Sequence, residues 1–114
     1  MFKKENRLTK QKDFDNVFKK GRSVFNKILG LKFIANDLNI NRFGVIVSNK
    51  ISKKAVERNK IKRRIREVLQ KEDPILKQGY DVVVIALAEV KDKKYQDLEQ
   101  ILKEKLSKLA LYRG

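Results

Sequence analysis

The sequence predicts a single α+β domain whose elements run in the order helix, strands, helix, strand, helix. Stretches with the apolar spacing of an amphipathic helix alternate with stretches whose apolar residues alternate or run continuously, as in strands. No internal repeat and no linker long enough to separate two domains interrupts residues 1–114. A chain of this length buries roughly two-thirds of the surface that it exposes when unfolded, which is enough for one core.

The first predicted element is a short helix that opens near Thr9. Phe14, Val17 and Phe18 share one helical face, Thr9 is a candidate N-cap, and Gly21 is placed to end the helix. The apolar spacing therefore predicts a short helix with one apolar face.

Strand patterns follow the first helix. Apolar residues alternate over 23–35, with Leu29 on one face and Lys32 on the other, and they alternate again over 42–48. The Asx-rich segment 36–41 between these strands is interpreted as the turn of a hairpin, since Asn and Asp tolerate turn backbone angles.

The second half of the chain is predicted to be helix, strand, helix. A helix over 53–71 must stop before Pro74, because the residue preceding a proline is pushed out of helical geometry. The apolar run 80–88 is typical of a central strand that is covered on both faces. Leucines and an isoleucine at helical spacing then predict a C-terminal amphipathic helix: Leu98, Ile101, Leu102, Leu106 and Leu109.

The charge of the chain points to a polyanionic partner. It has 29 Lys and Arg against 14 Asp and Glu, a net charge of +15, which exceeds what solubility needs. The longest apolar run is too short to span a bilayer, and residues 1–12 lack the apolar stretch of a secretory signal. We therefore expect a cytoplasmic protein that binds nucleic acid and not a membrane.

Missing residue types weaken most enzyme hypotheses. The chain has no cysteine and no histidine, so it has no thiolate metal site and lacks the side chain most used for proton transfer near neutral pH. No catalytic residue and no protein metal site is predicted.

The predicted helix over 53–71 carries the densest charge. Its segment 53–66 holds eight basic residues and one acid, or +7 of the net +15. Helical geometry sets Ile61, Ile65, Val68 and Leu69 on an apolar face. The residues Asn59, Lys62, Arg63 and Arg66, spaced three and four apart, form a polar and positive stripe beside that face.

Such a stripe suits phosphate recognition. Arginine can grip two phosphate oxygens, lysine supplies a point charge, and asparagine both donates and accepts hydrogen bonds. The alternative is an ordinary solvated face, but most of the basic residues here lack the Glu partners four positions away that such faces usually carry. Arg58, near the apolar centre, is expected to reach either an internal carboxylate or bound RNA.

These residues resemble a known family. The segment VSNKISKKAVERNKIKRRIRE (47–67) is similar to the signature of the ribonuclease P protein family, an Arg-Asn-Arg motif followed by Lys-Arg and a further Arg. The segment NRLTKQKDFDNVFKKGRSV (6–24) resembles the family's opening. Lys60 stands where the motif has its third residue, arginine, and it keeps the charge but loses the bidentate fork.

The resemblance implies an α-βββ-α-β-α sandwich with a βαβ crossover of the rare left hand, although a general rule favours the right hand. It also implies that a large RNA subunit, using Mg²⁺, cuts the 5′ leader from precursor tRNA while the protein binds RNA and breaks no bond. The basic helix faces the RNA subunit in the family, and the matching residues here are Lys53, Arg58, Asn59, Lys60, Lys62, Arg63 and Arg66.

The family also holds the single-stranded leader in a cleft between the first helix and the sheet. The matching cleft residues here are Phe14 and Phe18, on which any base can stack. The alternative is that both rings are simply core residues of the first helix. Lys32 occupies the place of an aromatic residue in relatives, which removes a third stacking contact and leaves a phosphate contact.

Three other functions compete with this interpretation. A general RNA-binding module, such as a ribosomal protein, fits the charge but not the match around Arg58 to Arg66. A DNA-binding protein would lay the basic helix in a major groove, but no short helix-turn-helix pair precedes that helix in the sequence. A protein-only nuclease needs clustered carboxylates for two metal ions, and the acids along the chain form no such cluster.

Overall fold

A computed structural model describes residues 2–113. Three helices and four strands follow the order α-βββ-α-β-α, which confirms the predicted α+β class. The helices are α1 (Gln11–Lys20), α2 (Ala55–Glu72) and α3 (Tyr95–Lys108), and the strands are β1 (Arg22–Phe25), β2 (Leu29–Ala35), β3 (Arg42–Ile46) and β4 (Tyr80–Ala86). None of the helices within this range is long and apolar enough to cross a membrane.

The predicted strand over 23–35 is two strands joined by a tight turn. The Asn26 side-chain oxygen accepts hydrogen bonds from the backbone of Ile28 and Leu29, each at 2.8 Å, and this turn separates β1 from β2. The two strands then pair antiparallel, with Arg22 opposite Phe33 and Phe25 opposite Gly30.

The predicted hairpin at 36–41 is wrong. The sheet order is β1-β2-β4-β3, so β4 lies between the two strands that this segment joins. β4 pairs antiparallel with β2 along its whole length and parallel with β3. A turn sequence specifies a local change of direction, but it does not specify whether the two strands that it joins pair with each other. Here β4, the most apolar strand, takes the central position, as its composition predicts.

β3, α2 and β4 form the expected βαβ unit, because β3 and β4 are parallel and α2 connects them. The left hand of this crossover stays a prediction of the family resemblance.

Helix boundaries differ by one or two residues from the predicted ones. α1 begins at Gln11 with Lys10 at the N-cap, so Thr9 is not the cap, while Gly21 does end the helix. α2 begins at Ala55, which leaves Lys53 in the preceding loop. At its other end, α2 passes into a short 3₁₀ turn that contains Pro74.

The main core lies between the sheet and the pair α2–α3. Ile61, Ile65, Val68 and Leu69 are all buried, as predicted for the apolar face of α2. The predicted apolar face of the C-terminal helix is also buried at its four leucines, Leu98, Leu102, Leu106 and Leu109, whereas Ile101 is half-buried. α1 packs on the opposite face of the sheet over a smaller cluster of Leu8, Val17 and Val83.

Arg42 anchors α1 to the sheet through an ionic network. Its guanidinium binds both oxygens of the buried Asp81 at 2.8 and 2.7 Å and reaches Asp13 of α1 at 3.4 Å. The hydrogen bond with Asp81 raises the pKa of the Arg42 side chain above its ordinary value. This contact fixes the position of α1 across the strands.

Candidate RNA-binding surfaces

The basic stripe of α2, defined as Asn59, Lys62, Arg63 and Arg66, is available to a partner. Asn59, Arg63 and Arg66 are exposed and Lys62 is half-buried. Among residues 2–113, none of these four side chains makes a hydrogen bond or an ion pair. The opposite side of α2 is fixed in the core, so the stripe is held rigidly in a row.

Two other arginines of α2 are engaged within the protein. Arg58 donates a hydrogen bond to the backbone oxygen of Ser52 at 2.9 Å, and thus binds a carbonyl where an internal carboxylate or RNA was expected. Arg64 donates to the backbone oxygen of Lys93 at 3.2 Å. Arg58 and Arg64 therefore bind backbone carbonyls of the protein itself, in contrast to the two arginines of the basic stripe.

The acid of the basic segment is also engaged. The hydroxyl of Ser52 donates to the Glu57 carboxylate at 2.8 Å, and Lys91 lies 3.9 Å from it. The hydrogen bond from Ser52 lowers the pKa of the Glu57 carboxyl below its usual range. Glu57 is thus turned towards the loop and not towards the stripe.

A pocket of about 400 Å³ lies in the loop before α2 and is lined by Asn49, Lys50, Lys53 and Arg58. Two of these residues, Lys53 and Arg58, were predicted to contact RNA. Asn49 and Lys50 were missed, although both belong to the segment 47–67 that carries the motif. Lys60 lies apart, in a groove of α2 with Glu57 and Arg64.

A cavity at the edge of β3 joins the stripe to the aromatic residues of α1. It measures about 290 Å³, and its lining includes Phe14, Gly44 and Arg66 together with Arg7 and Thr9 of the N-terminal segment. Arg7 and Thr9 were not predicted, because nothing in their local sequence indicates that the chain folds back along β3. The two predicted surfaces therefore adjoin at Arg66.

Phe14 and Phe18 have different surroundings. The Phe14 ring is half-buried and lies on Gly44, so closely that a Cβ at that position would be 2.5 Å from the nearest ring atom. Phe18, one turn further on, is 38% exposed and is not a core residue. The alternative that both rings are simply core residues therefore fits the half-buried Phe14 in part and does not fit the exposed Phe18.

Lys32 lies beside Phe18. Its ammonium is 5.3 Å from the centre of the Phe18 ring and donates to the Phe18 backbone oxygen at 3.1 Å, where it also meets the negative end of α1. Lys32 therefore places a positive charge against the Phe18 ring.

Comparison with known proteins decides the family. The Ribonuclease P family model matches residues 2–110. The chain belongs to the ribonuclease P protein family. A ribonuclease P protein component from Clostridium botulinum is 44% identical over 110 residues, which cover 96% of this chain and 98% of the relative. Another from Alkaliphilus oremlandii is 36% identical, over 93% of this chain and 92% of the relative.

Solved structures agree with this assignment. The ribonuclease P protein of Staphylococcus aureus superposes with a TM-score of 0.87 at 32% identity, covering 95% of this chain and 98% of that one. The protein from Thermotoga maritima gives a TM-score of 0.74 at 31% identity, covering 90% and 93%. Ribonuclease P protein components belong to a ribonucleoprotein nuclease of tRNA processing, so the α+β fold and the RNA partner follow from membership of the family.

Among residues 2–113, no three acidic, histidine or cysteine side chains come together as a metal site.

Proposed function

We propose that this protein binds the ribonuclease P RNA through the basic stripe of α2 and holds the single-stranded 5′ leader of precursor tRNA between α1 and the sheet. The observation that carries the proposal is the stripe itself, which presents three cations and an amide that have no partner among residues 2–113. Four polar groups along one side of a helix can bind several phosphates of one RNA strand.

The stripe favours RNA over a small anion because of its length. Asn59 and Arg66 are seven residues apart, which is about 10 Å along a helix. Each phosphate that a cation neutralises releases a counterion, so the binding free energy grows with the number of contacts and falls with salt. A continuous stripe is therefore suited to a polymer.

The leader is proposed to lie along the aromatic residues of α1. Phe18 is exposed and Phe14 lines the β3-edge cavity, so both rings present apolar surface beside Lys32 and Arg66. Stacking on rings requires no particular base, whereas the neighbouring cations attract any phosphate. This combination suits a leader of variable sequence.

The RNA subunit is assigned the catalytic role and the Mg²⁺ ions. Hydrolysis of a phosphodiester assisted by metal ions needs ligands that hold the ions at the reacting phosphate, and the described part of this chain offers no such cluster. The protein then contributes by positioning the substrate. We place this assembly in the cytoplasm, a prediction that fractionation of cells expressing a tagged chain tests.

The first experiment is cleavage of a precursor tRNA with a 5′ extension at low Mg²⁺. Three reactions are compared: the protein alone, a bacterial ribonuclease P RNA alone, and the two together. We expect correct cleavage at the mature 5′ end from the combination alone, because the cations of the protein replace part of the charge screening that high Mg²⁺ gives to the RNA.

Two results would overturn the proposal. Cleavage by the protein alone would move catalysis to the polypeptide and support the nuclease alternative. Failure to bind or stimulate the RNA would leave the general RNA-binding alternative, and competition with duplex DNA would then test the DNA-binding alternative.

A further inference from the structure

We propose that Phe25 of β1 stacks on a base of the leader and extends the leader cleft beyond the end of α1. This inference rests on the proposed leader-binding role of the same face of the sheet. It assigns a contact to a residue that carries no recognisable motif and lies on the edge strand of the sheet.

The position of Phe25 follows from strand register. Phe25 is opposite Gly30 of β2, and Gly30 is opposite Ile85 of β4, so these residues form one row across the sheet. The next row contains Ser23 and Lys32. Since side chains two residues apart on a strand share a face, Phe25 lies on the same face as Lys32, as its diagonal neighbour at about 7–8 Å.

The Phe25 ring is held in place by the absence of a side chain at Gly30. A Cβ built on Gly30 would overlap two atoms of the ring edge and lie 2.9 Å from a third. The ring therefore rests on the backbone of β2, which restricts its motion. A restricted ring loses less conformational entropy when a base stacks on it.

Phe25 is nevertheless open to solvent, because 48% of its surface is exposed. The chain has six phenylalanines, all within residues 2–113, and the two exposed ones are Phe18 and Phe25. Both lie beside Lys32, one contributed by α1 and one by β1. Two exposed rings beside one lysine offer apolar faces for bases and a positive charge for a phosphate.

The occupant that fits this surface is single-stranded RNA. A protein partner with an apolar face would not use the lysine at the centre of the patch, whereas a nucleotide chain offers flat bases for the rings and phosphates for the ammonium. The net charge of +15 of the protein further favours a polyanion. Phe25 then supplies a stacking contact that the Lys32 side chain, which has no ring, cannot make.

The test uses the holoenzyme reconstituted with ribonuclease P RNA. Affinity is measured for precursor tRNA with a 5′ leader and for the same tRNA without one. Phe25→Ala removes the ring, and Phe25→Leu retains apolar volume without a π face. Ile75→Ala is the control, since Ile75 is 54% exposed but lies beyond α2, next to the C-terminal segment. Circular dichroism establishes that each variant is folded.

We expect Phe25→Ala to weaken binding of the leader-bearing RNA by about fivefold to tenfold, the lower part of the range for one stacked base. Phe25→Leu should recover less than half of the loss on a logarithmic scale, and the leaderless RNA should bind all variants equally. Abasic sites are then introduced at each position of the leader in turn. At one position, the abasic site should weaken binding to the parent protein but should not further weaken binding to Phe25→Ala.

The outcomes separate the two proposals. If the parent protein does not prefer leader-bearing RNA, the leader-binding role itself fails. If it does prefer that RNA but Phe25→Ala behaves like Ile75→Ala, the leader role stands and the assignment of Phe25 is overturned. Full rescue by Phe25→Leu would also overturn it, because apolar area alone would then explain the contact.

Discussion

Replacing Arg63 with alanine tests whether the basic stripe contacts RNA locally or acts through its charge alone. Arg64 provides a matched control, since either substitution removes one positive charge from adjacent positions of α2. The two arginines differ in their contacts. Arg63 is exposed and has no partner among the described residues, whereas Arg64 donates a hydrogen bond to the Lys93 carbonyl at 3.2 Å.

The structure sets different magnitudes for the two changes. A hydrogen bond to a charged group contributes about 1.5–3 kcal/mol, so Arg63→Ala should weaken RNA binding by about 10- to 150-fold. Loss of one phosphate contact should also reduce the slope of log affinity against log salt by about 0.7–0.9. Arg64→Ala should instead lower the free energy of unfolding by about 0.5–1.5 kcal/mol and leave the salt slope nearly unchanged.

The assay is titration of ribonuclease P RNA with each variant over a series of salt concentrations, together with urea denaturation of the free proteins. Long-range attraction is the same for both variants and is screened over about 10 Å at 0.1 M salt, so it cancels in the comparison. Equal losses of affinity and of salt slope for Arg63→Ala and Arg64→Ala would refute the assignment of a local contact to the stripe.

Three further predictions concern the packing that holds these surfaces. The Tyr112 hydroxyl donates to the buried Glu72 carboxylate at 2.8 Å, and desolvation and this contact raise the pKa of the phenol above its usual 10.0. This contact therefore contributes fully to the free energy of unfolding below pH 10, and its contribution falls as the pH rises further. Tyr112→Phe should lower the free energy of unfolding by about 1–3 kcal/mol. Urea denaturation at increasing pH should then show a smaller loss of stability above pH 10 for the variant than for the parent protein. Arg42→Ala should cost about 3 kcal/mol in the free energy of unfolding, because it leaves the buried Asp81 without its bidentate partner. Gly44→Ala should cost about 1–3 kcal/mol and displace the ring above it, which an accompanying loss of precursor affinity would reveal.

Each of these predictions has a contradicting result. An alkaline limb unchanged by the tyrosine substitution would mean that another group controls stability at high pH. Urea midpoints unchanged by the arginine substitution would mean that solvent replaces the ion pair. Unaltered stability and RNA binding in the glycine variant would mean that the ring moves aside freely.

Local sequence was sufficient for elements whose identity depends on neighbours along the chain. The apolar face of α2, its basic stripe, the central strand β4 and the stripe of leucines in α3 were all predicted, because periodicity of 3.6 or continuous apolarity is a property of one segment. The residues around Arg58 likewise carried the resemblance to the ribonuclease P protein family.

Other features depended on segments that are distant in sequence. Segment 36–41 has the composition of a hairpin turn, yet β4 enters between the strands that it joins. That order results from the burial of β4 on both faces, which involves α1 on one side and α2 with α3 on the other. The local sequence of segment 36–41 does not contain this information.

The functional surfaces divide in the same way. The amino-acid sequence alone indicated which residues are charged, which helix concentrates them and which family the motif resembles. Folding brought Arg58 and Arg64 to backbone carbonyls and left Arg63 without a partner among the described residues. It also placed Arg66 in one cavity with Phe14 and left Phe25 exposed on the same face of the sheet as Lys32. The physical reason is that composition is carried by single residues, whereas exposure and pairing depend on which segments the folded chain brings into contact.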